Sequence, residues 1–307
     1  MSDNLHVSVS PHIHSGRSTR SIMLEVIIAL LPAMIAGTVI FGLRSIAVIC
    51  VCVAVCVFSE FFFNAIVKKP RSVQDLSAVV TGVLLALNLP ANIPLWQAAI
   101  GSVFAIVVVK CFFGGIGQNF ANPAITARVF MIVAFGSMAK AAFPVVDGVS
   151  GATPLEIIAS DGEISLLDLF LGTHGGAIGE TCTLALLVGG IYLIARGIIS
   201  WHCPVGFIGT VFVLSFLIEG DVVNALALSM SGGLFIGAFF MATDYSTSPI
   251  NSWGRLIFGI GCGLITVLIR FWGAYPEGVS FAILLMNILT PYIDKWTAHK
   301  VFGGKKG

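Results

Sequence analysis

The sequence predicts an all-α, polytopic integral membrane protein of about ten transmembrane helices. Three observations predict it. Hydrophobic residues make up 57% of the 307 residues and charged ones only 10%, where a soluble domain carries about 25% charged residues. The mean hydropathy is +1.00. Phenylalanine outnumbers tyrosine 23 to 4, the balance of aromatics that face lipid rather than water. The same figures exclude a soluble enzyme and a disordered tail. With 16 Lys and Arg against 15 Asp and Glu, there is no basic field to bind nucleic acid.

A bilayer core needs about 20 apolar residues per helix, fewer where a helix is broken or enclosed by protein. Ten segments meet this, at 22–43, 45–67, 75–89, 94–113, 124–139, 181–196, 199–218, 222–243, 254–272 and 278–293. The third, fifth and tenth are short; the third ends at Leu89-Pro90 and the fifth is entered through Asn122-Pro123. Residues 1–21 form a polar leader in which Arg17 and Arg20 precede the first apolar run. This reads as a cytoplasmic lead-in, not a cleaved signal peptide. A first five-helix half then covers 22–139, an extramembrane loop 140–180, a second five-helix half 181–294 and a basic tail 295–307.

Charge placement orients these spans. With the N-terminus inside, the cytoplasmic ends carry Arg17, Arg20, Lys68, Lys69, Arg71, Lys110, Arg128, Arg196, Arg255, Lys295, Lys300, Lys305 and Lys306; the other side carries Arg44, Lys140 and Arg270. The positive-inside rule then puts both termini in the cytoplasm and the 140–180 loop outside. That loop is acidic, with Asp147, Glu156, Asp161, Glu163, Asp168 and Glu180 against Lys140, and a long loop in a compact protein is usually functional. Embedded Glu25 and Glu60 fall near the cytoplasmic interface and are expected to snorkel or pair. Arg128 is expected to pair with a carboxylate or a phosphate.

The two halves echo each other. Ile93-Pro94-Leu95-Trp96 aligns with Ile250-Asn251-Ser252-Trp253, and Phe112-Phe113-Gly114 with Phe271-Trp272-Gly273. Five spans per half would make a duplication an inverted repeat, an architecture common among transporters. Seven cysteines include no Cys-x-x-Cys pair, so they predict neither a metal site nor a disulfide framework and read as small buried residues.

The loop motif Asp147-Gly148-Val149-Ser150-Gly151-Ala152-Thr153-Pro154-Leu155-Glu156 admits two readings. Thr153 to Glu156 is a capping box with Pro at the first helical position, which would simply start a short helix. The same helix start is also an anion site. Gly151 and Ala152 leave room there for a phosphate, and a phosphate ester on the Thr153 hydroxyl would sit where a cap oxygen accepts its hydrogen bonds. A second block, Gly114-Gly115-Ile116-Gly117-Gln118-Asn119-Phe120-Ala121-Asn122-Pro123-Ala124, is either a glycine-rich turn with capping amides or a site whose paired amides suit the imide edge of a flavin. Asp244, in Ala242-Thr243-Asp244-Tyr245-Ser246-Thr247-Ser248-Pro249, is either an interfacial cap or a polar group lining that site or an ion pathway.

Residues 147–153 match the Asp-x-x-Ser-Gly-Ala-Thr flavinylation motif, and with both other blocks and Thr81-Gly82-Val83-Leu84-Leu85-Ala86-Leu87 the chain resembles the membrane flavoprotein subunits of Rnf and Na⁺-translocating NADH:quinone reductase complexes. The resemblance runs from about residue 17 to about 297. The first span opens near Ile22, without the long leader of the quinone-reductase B subunits, so the likeness is to the Rnf D-subunit branch. It implies FMN joined covalently to Thr153 by a dedicated flavin transferase, with Asp147, Ser150, Gly151 and Ala152 as the motif around it. It also implies a non-covalent riboflavin, assigned to Asn119 and Asn122 with Asp244.

The implied function is electron relay in a ferredoxin:NAD⁺ oxidoreductase of the bacterial inner membrane that moves Na⁺ or H⁺. The implied partners are the lipid bilayer, the other Rnf membrane subunits, the G flavoprotein and the B and C iron–sulfur proteins. No dinucleotide fingerprint or iron–sulfur cysteine set is present in the sequence, so NAD⁺ and ferredoxin are expected to meet those partners. The competing readings are a transporter or channel without redox activity and a membrane anchor for other subunits; covalent flavin separates them from the first.

Overall fold

The computed structural model describes residues 17–68, 73–135, 153–159, 162, 165–273 and 277–298. Regular structure among these residues is entirely helical, with no strand. The first half contains α1 (Thr19–Phe41), α2 (Leu43–Val67), α3 (Ser77–Leu87), α4 (Leu95–Val103, extended by a π-helical stretch Phe104–Cys111) and α5 (Pro123–Ala134). Two short helices follow, α6 (Pro154–Ala159) and α7 (Leu166–Leu171). The second half contains α8 (Thr183–Ala195), α9 (His202–Glu219), α10 (Val222–Met230), α11 (Leu234–Ile236, extended by a π-helical stretch Gly237–Met241), α12 (Ser252–Trp272) and α13 (Val279–Thr297).

Every one of the ten expected spans is occupied by helix, but length separates them. Four helices, α1, α2, α9 and α12, are long and apolar enough to cross a membrane unaided. The pair α10 and α11 would make a fifth, although the chain bends by 63° between them. The other expected spans are shorter or more polar, so ten full crossings are not what helix length alone supports. The reason for the short ones is visible in α3. All of its 11 residues except Val79 are buried, so its neighbours, not lipid, surround it and it need not match the bilayer thickness. The long helices carry the lipid-type surface, with Val39, Leu43, Phe58 and Leu217 each more than 60% exposed.

Local sequence sets the helix ends. Ser18 caps α1 by accepting the Ser21 N–H at 3.2 Å, and Asp221 caps α10 through the N–H groups of Val223 and Asn224. Gly42 alone joins α1 to α2 at φ 73°, a left-handed conformation that glycine adopts without steric cost.

Helices then pack through small residues, as expected where lipid competes equally for apolar side chains. On α12, a Cβ at Gly259 would lie 2.5 Å from the carbonyl oxygen of Cys203 on α9. On α8, a Cβ at Gly189 would lie 2.1 Å from the carbonyl oxygen of Ala29 on α1. Gly82 brings α3 against α2, where a Cβ would meet Val53 Cα at 2.8 Å.

The neighbour relations recur in the two halves: α2 packs on α3 and α4, while α9 packs on α10 and α12. The aligned segments noted in the sequence open and close α4 and α12.

These contacts make a paired prediction. Gly189→Ala forces α8 off α1 and should cost about 1–3 kcal/mol. Gly209→Ala on α9, where nothing lies within 4 Å of the new Cβ, should be neutral or stabilise by up to about 1 kcal/mol. Thermal unfolding in detergent, followed by size-exclusion fluorescence, should show the first Tm fall and the second hold.

Candidate functional site

A cleft opens where the π-helical stretches, the glycine-rich block and the start of α3 converge. Its cavity volume is about 90 Å³, a narrow cleft beside the roughly 300–1,000 Å³ usual for ligand pockets. The walls are apolar side chains from α1, α3, α8 and the second π-helical stretch, including Met23, Val26, Leu84, Phe239 and Phe240. Polar groups reach it from several segments, among them Ser77, Lys110, Asn119, Asn122 and Asp244, with Thr81, Thr243, Tyr245 and Ser246 beside them. The structure therefore brings together the three residues singled out in the second and third sequence blocks.

Each is held by its local fold. Gly114, Gly115 and Gly117 all have positive φ, at 121°, 110° and 85°, so the block turns sharply and lays Asn119 along the wall. The Asn119 Nδ2 donates to the Ala121 carbonyl at 3.0 Å, and its amide oxygen has no partner among the described residues.

Asn122 is more committed. Its Oδ1 accepts from the N–H of Ala124 at 3.0 Å and of Ile125 at 3.4 Å, making it the cap of α5. Its Nδ2 donates to the Met241 carbonyl at 3.3 Å, tying that cap to the second π-helical stretch. Asn287 of α13, oriented to satisfy both its neighbours, accepts the Asn122 N–H at 3.1 Å and donates to Thr247 O at 3.2 Å.

Asp244 accepts from the hydroxyls of Ser246 and Thr247 at 3.0 and 3.2 Å. Burial pushes its carboxyl above the usual carboxylate range, against the pull of those hydroxyls.

Opposite them stands a buried ion pair. Lys110 Nζ lies 2.9 Å from Glu60 Oε1 and donates to Ser77 Oγ at 2.6 Å, and Ser77 in turn donates to Asp75. Glu60 is thus paired, as expected, and so is Glu25, which accepts from Tyr192 and Arg196 on α8.

Arg128 finds two carboxylates, Glu180 and Glu277, and also donates to the Asn88 amide oxygen. The charge count along the sequence places Lys110 and Arg128 at cytoplasmic ends. Both are instead buried within the bundle at 3% and 4% exposure, so neither contributes to the interfacial bias. Glu277, Asn88 and Arg270 join this network although nothing local in the sequence marks them as partners.

Thr153 is the one residue of the flavinylation motif within the described segments; Asp147, Ser150, Gly151 and Ala152 lie outside them. The capping box forms. The Thr153 N–H donates to Glu156 Oε2 at 2.8 Å, and Thr153 Oγ1 accepts the Glu156 N–H at 3.3 Å. Thr153 is half-exposed. Leu155, buried, packs over Gly232 at the bend between α10 and α11, which fixes α6 on the bundle.

Comparison with known proteins decides the family. The profile of the NQR2, RnfD, RnfE family matches residues 6–303. The chain belongs to this family.

Among its members, the D subunit of the Na(+)-translocating ferredoxin:NAD(+) oxidoreductase complex of Acetobacterium woodii is 50% identical, covering 99% of this chain and 96% of its own. The D subunit of the proton-translocating ferredoxin:NAD(+) oxidoreductase complex of Clostridium ljungdahlii is 42% identical, covering 98% and 96%. The D subunit of the ion-translocating oxidoreductase complex of Stutzerimonas stutzeri is 40% identical, covering 93% and 92%. Family membership and the apolar helices together make this a multi-pass membrane protein.

The two asparagines of the cleft should separate by stability. Asn122→Ala removes a helix cap and should cost about 0.5–2 kcal/mol, whereas Asn119→Ala removes a bond within the turn and should leave the Tm nearly unchanged. Equal losses in a thermal melt would contradict the division of roles between them.

Proposed function

We propose that the chain is the D subunit of an Rnf-type ferredoxin:NAD⁺ oxidoreductase complex, relaying electrons through covalent FMN and a second, non-covalent flavin while the complex moves Na⁺ or H⁺. The observation that carries this reading is 50% identity to the Acetobacterium woodii protein across 99% of the chain, with the threonine of the flavinylation motif at a helix start. Flavins supply one- and two-electron chemistry that no side chain here provides.

The residues present fit both groups. Thr153, part-exposed, starts α6 with its hydroxyl in the cap position, where an ester phosphate could take over the cap's acceptor role. The cleft offers apolar walls, the Asn119 amide oxygen and a protonatable carboxyl on Asp244, a donor and acceptor set suited to the polar edge of a ring. In this reading Thr153 holds FMN as a phosphate ester made by a flavin transferase. Asn119 and Asp244 orient riboflavin, and Asn122 acts mainly by fixing the wall that Asn119 belongs to. NAD⁺ and ferredoxin are handled by the other proteins of the complex, including the G flavoprotein and the B and C iron–sulfur proteins. The chain lies in the bacterial inner membrane with both termini cytoplasmic and the Thr153 loop outside.

Two measurements test this. Thr153→Ala should abolish the flavin fluorescence that stays with the chain after denaturation. The lost cap costs only about 0.5–2 kcal/mol, so the variant should still assemble. Asn119→Ala should instead lower the extractable riboflavin and leave the covalent band intact. A Thr153→Ala chain that keeps its fluorescent band would overturn the attachment, and a wild-type chain with no flavin at all would favour the transporter or anchoring reading.

Orientation is tested separately. A cysteine at exposed Gly162 in a cysteine-free background should react with an impermeant reagent in intact cells. Reaction only after the cytoplasmic face is opened would reverse the topology.

A further inference from the structure

Two helices stop inside the bundle, and their ends meet at one cluster of charges. α3 ends at Leu87, and Asn88 caps it by donating to the Leu84 carbonyl at 2.6 Å. α10 ends at Met230, and Arg270 of α12 holds the freed carbonyls of Leu228 and Ser231 at 2.6 and 2.9 Å. Between these ends, Arg128 of α5 bonds Asn88, Glu180 and Glu277 at once. Arg128 and Glu180 are only 4% and 6% exposed.

The two carboxyls do more than share an arginine. Glu277 Oε2 takes the Arg128 bond, while its Oε1 is buried and receives no hydrogen bond from any described residue. Glu180 Oε1 and Glu277 Oε1 converge on Gly233, where a Cβ would lie 2.9 and 2.7 Å from them. Both carboxylates bond the same Arg128 Nη2, which sets them side by side, and a hydrogen bond between them would need a proton that two ionised carboxylates lack.

We propose that Glu180 and Glu277 hold a single exchangeable proton between them, clamped on Arg128 at the bend between α10 and α11. Binding converts one carboxylate to a carboxylic acid, whose O–H donates to the other; release returns the proton to water. A proton suits this place better than a metal cation, because Arg128 and Arg270 already set two positive charges against the two carboxylates.

The groups around the pair are Asn88 beside α3, Arg128 of α5, Arg270 of α12 and His174 in the segment before α8. Burial pushes the Glu277 carboxyl up to about 8, against the pull of Arg128 and with a further push from Glu180. The proposal does not depend on the flavin assignment, since it rests on side chains of this chain alone.

The test is a pH titration of the purified membrane complex by infrared difference spectroscopy, following the C=O stretch of a protonated carboxyl. The native complex should show one such carboxyl titrating well above the ordinary carboxylate range of about 4. Glu277→Gln, which keeps an acceptor for Arg128, should lose that signal, as should Glu180→Gln. Persistence of the signal in both variants would overturn the proposal. If the variants fail to assemble, the native titration decides alone: no carboxyl titrating between about pH 6 and pH 10 would refute it. Loss of the signal on adding Na⁺ at constant pH would make this a Na⁺ site and equally overturn the proton assignment.

Discussion

The constraint on which this structure depends is that helices end inside the bundle. A helix that stops in an apolar surrounding leaves N–H or C=O groups without water, and each unpaired group costs several kcal/mol. The chain meets that cost with side chains from other helices. Asn122 satisfies the start of α5, Asn88 the end of α3, and Arg270 the end of α10. The two π-helical stretches relax the same constraint, because a wider turn re-aims side chains without breaking the helix outright. Polar residues that are expensive in a membrane therefore collect where helices break.

The position of the two polar stations follows from this. The cleft begins at Ser77, the first residue of α3, and the charge cluster begins at Asn88, directly after its last. Eleven residues of helix hold them about 16 Å apart. α5 repeats the arrangement, with Asn122 at its start in the cleft and Arg128 further along in the cluster. Short buried helices act here as spacers between a polar-lined cleft and a cluster of opposed charges. A full-length span facing lipid could not present both of its ends inside the protein.

Much of this was legible in the sequence, and the remainder has a definite physical reason for being hidden. Composition alone points to the helical membrane class, and each of the ten apolar segments contains helix, though 222–243 is broken into α10 and α11. The capping box at Thr153 and Glu156 could be read from four consecutive residues, because both of its hydrogen bonds are local. The glycine block could be read as a turn, because Gly114, Gly115 and Gly117 need neither neighbours nor partners to adopt positive φ. What could not be read was anything set by the packing of distant helices. Arg128 plainly needed a carboxylate, yet Glu180 and Glu277 lie 52 and 149 residues away. Span length misled for a related reason: it assumes that lipid surrounds each helix, and α3 is surrounded by protein.

The buried ion pairs have a further role in joining the two halves. Arg128 of α5 meets carboxylates that precede α8 and α13. Removing one partner of a buried pair strands a charge at a cost of about 3–5 kcal/mol, whereas replacing both with apolar groups is often neutral. Such pairs therefore add little net stability but strongly disfavour any other register between the halves. Apolar helix faces in a membrane cannot supply this selectivity, since lipid satisfies them equally well in any arrangement. The glycine contacts set how closely α1 approaches α8, and the charges set which faces meet. Both are required to hold Asn119, Asp244 and Lys110, which come from three separate elements, around a single cleft.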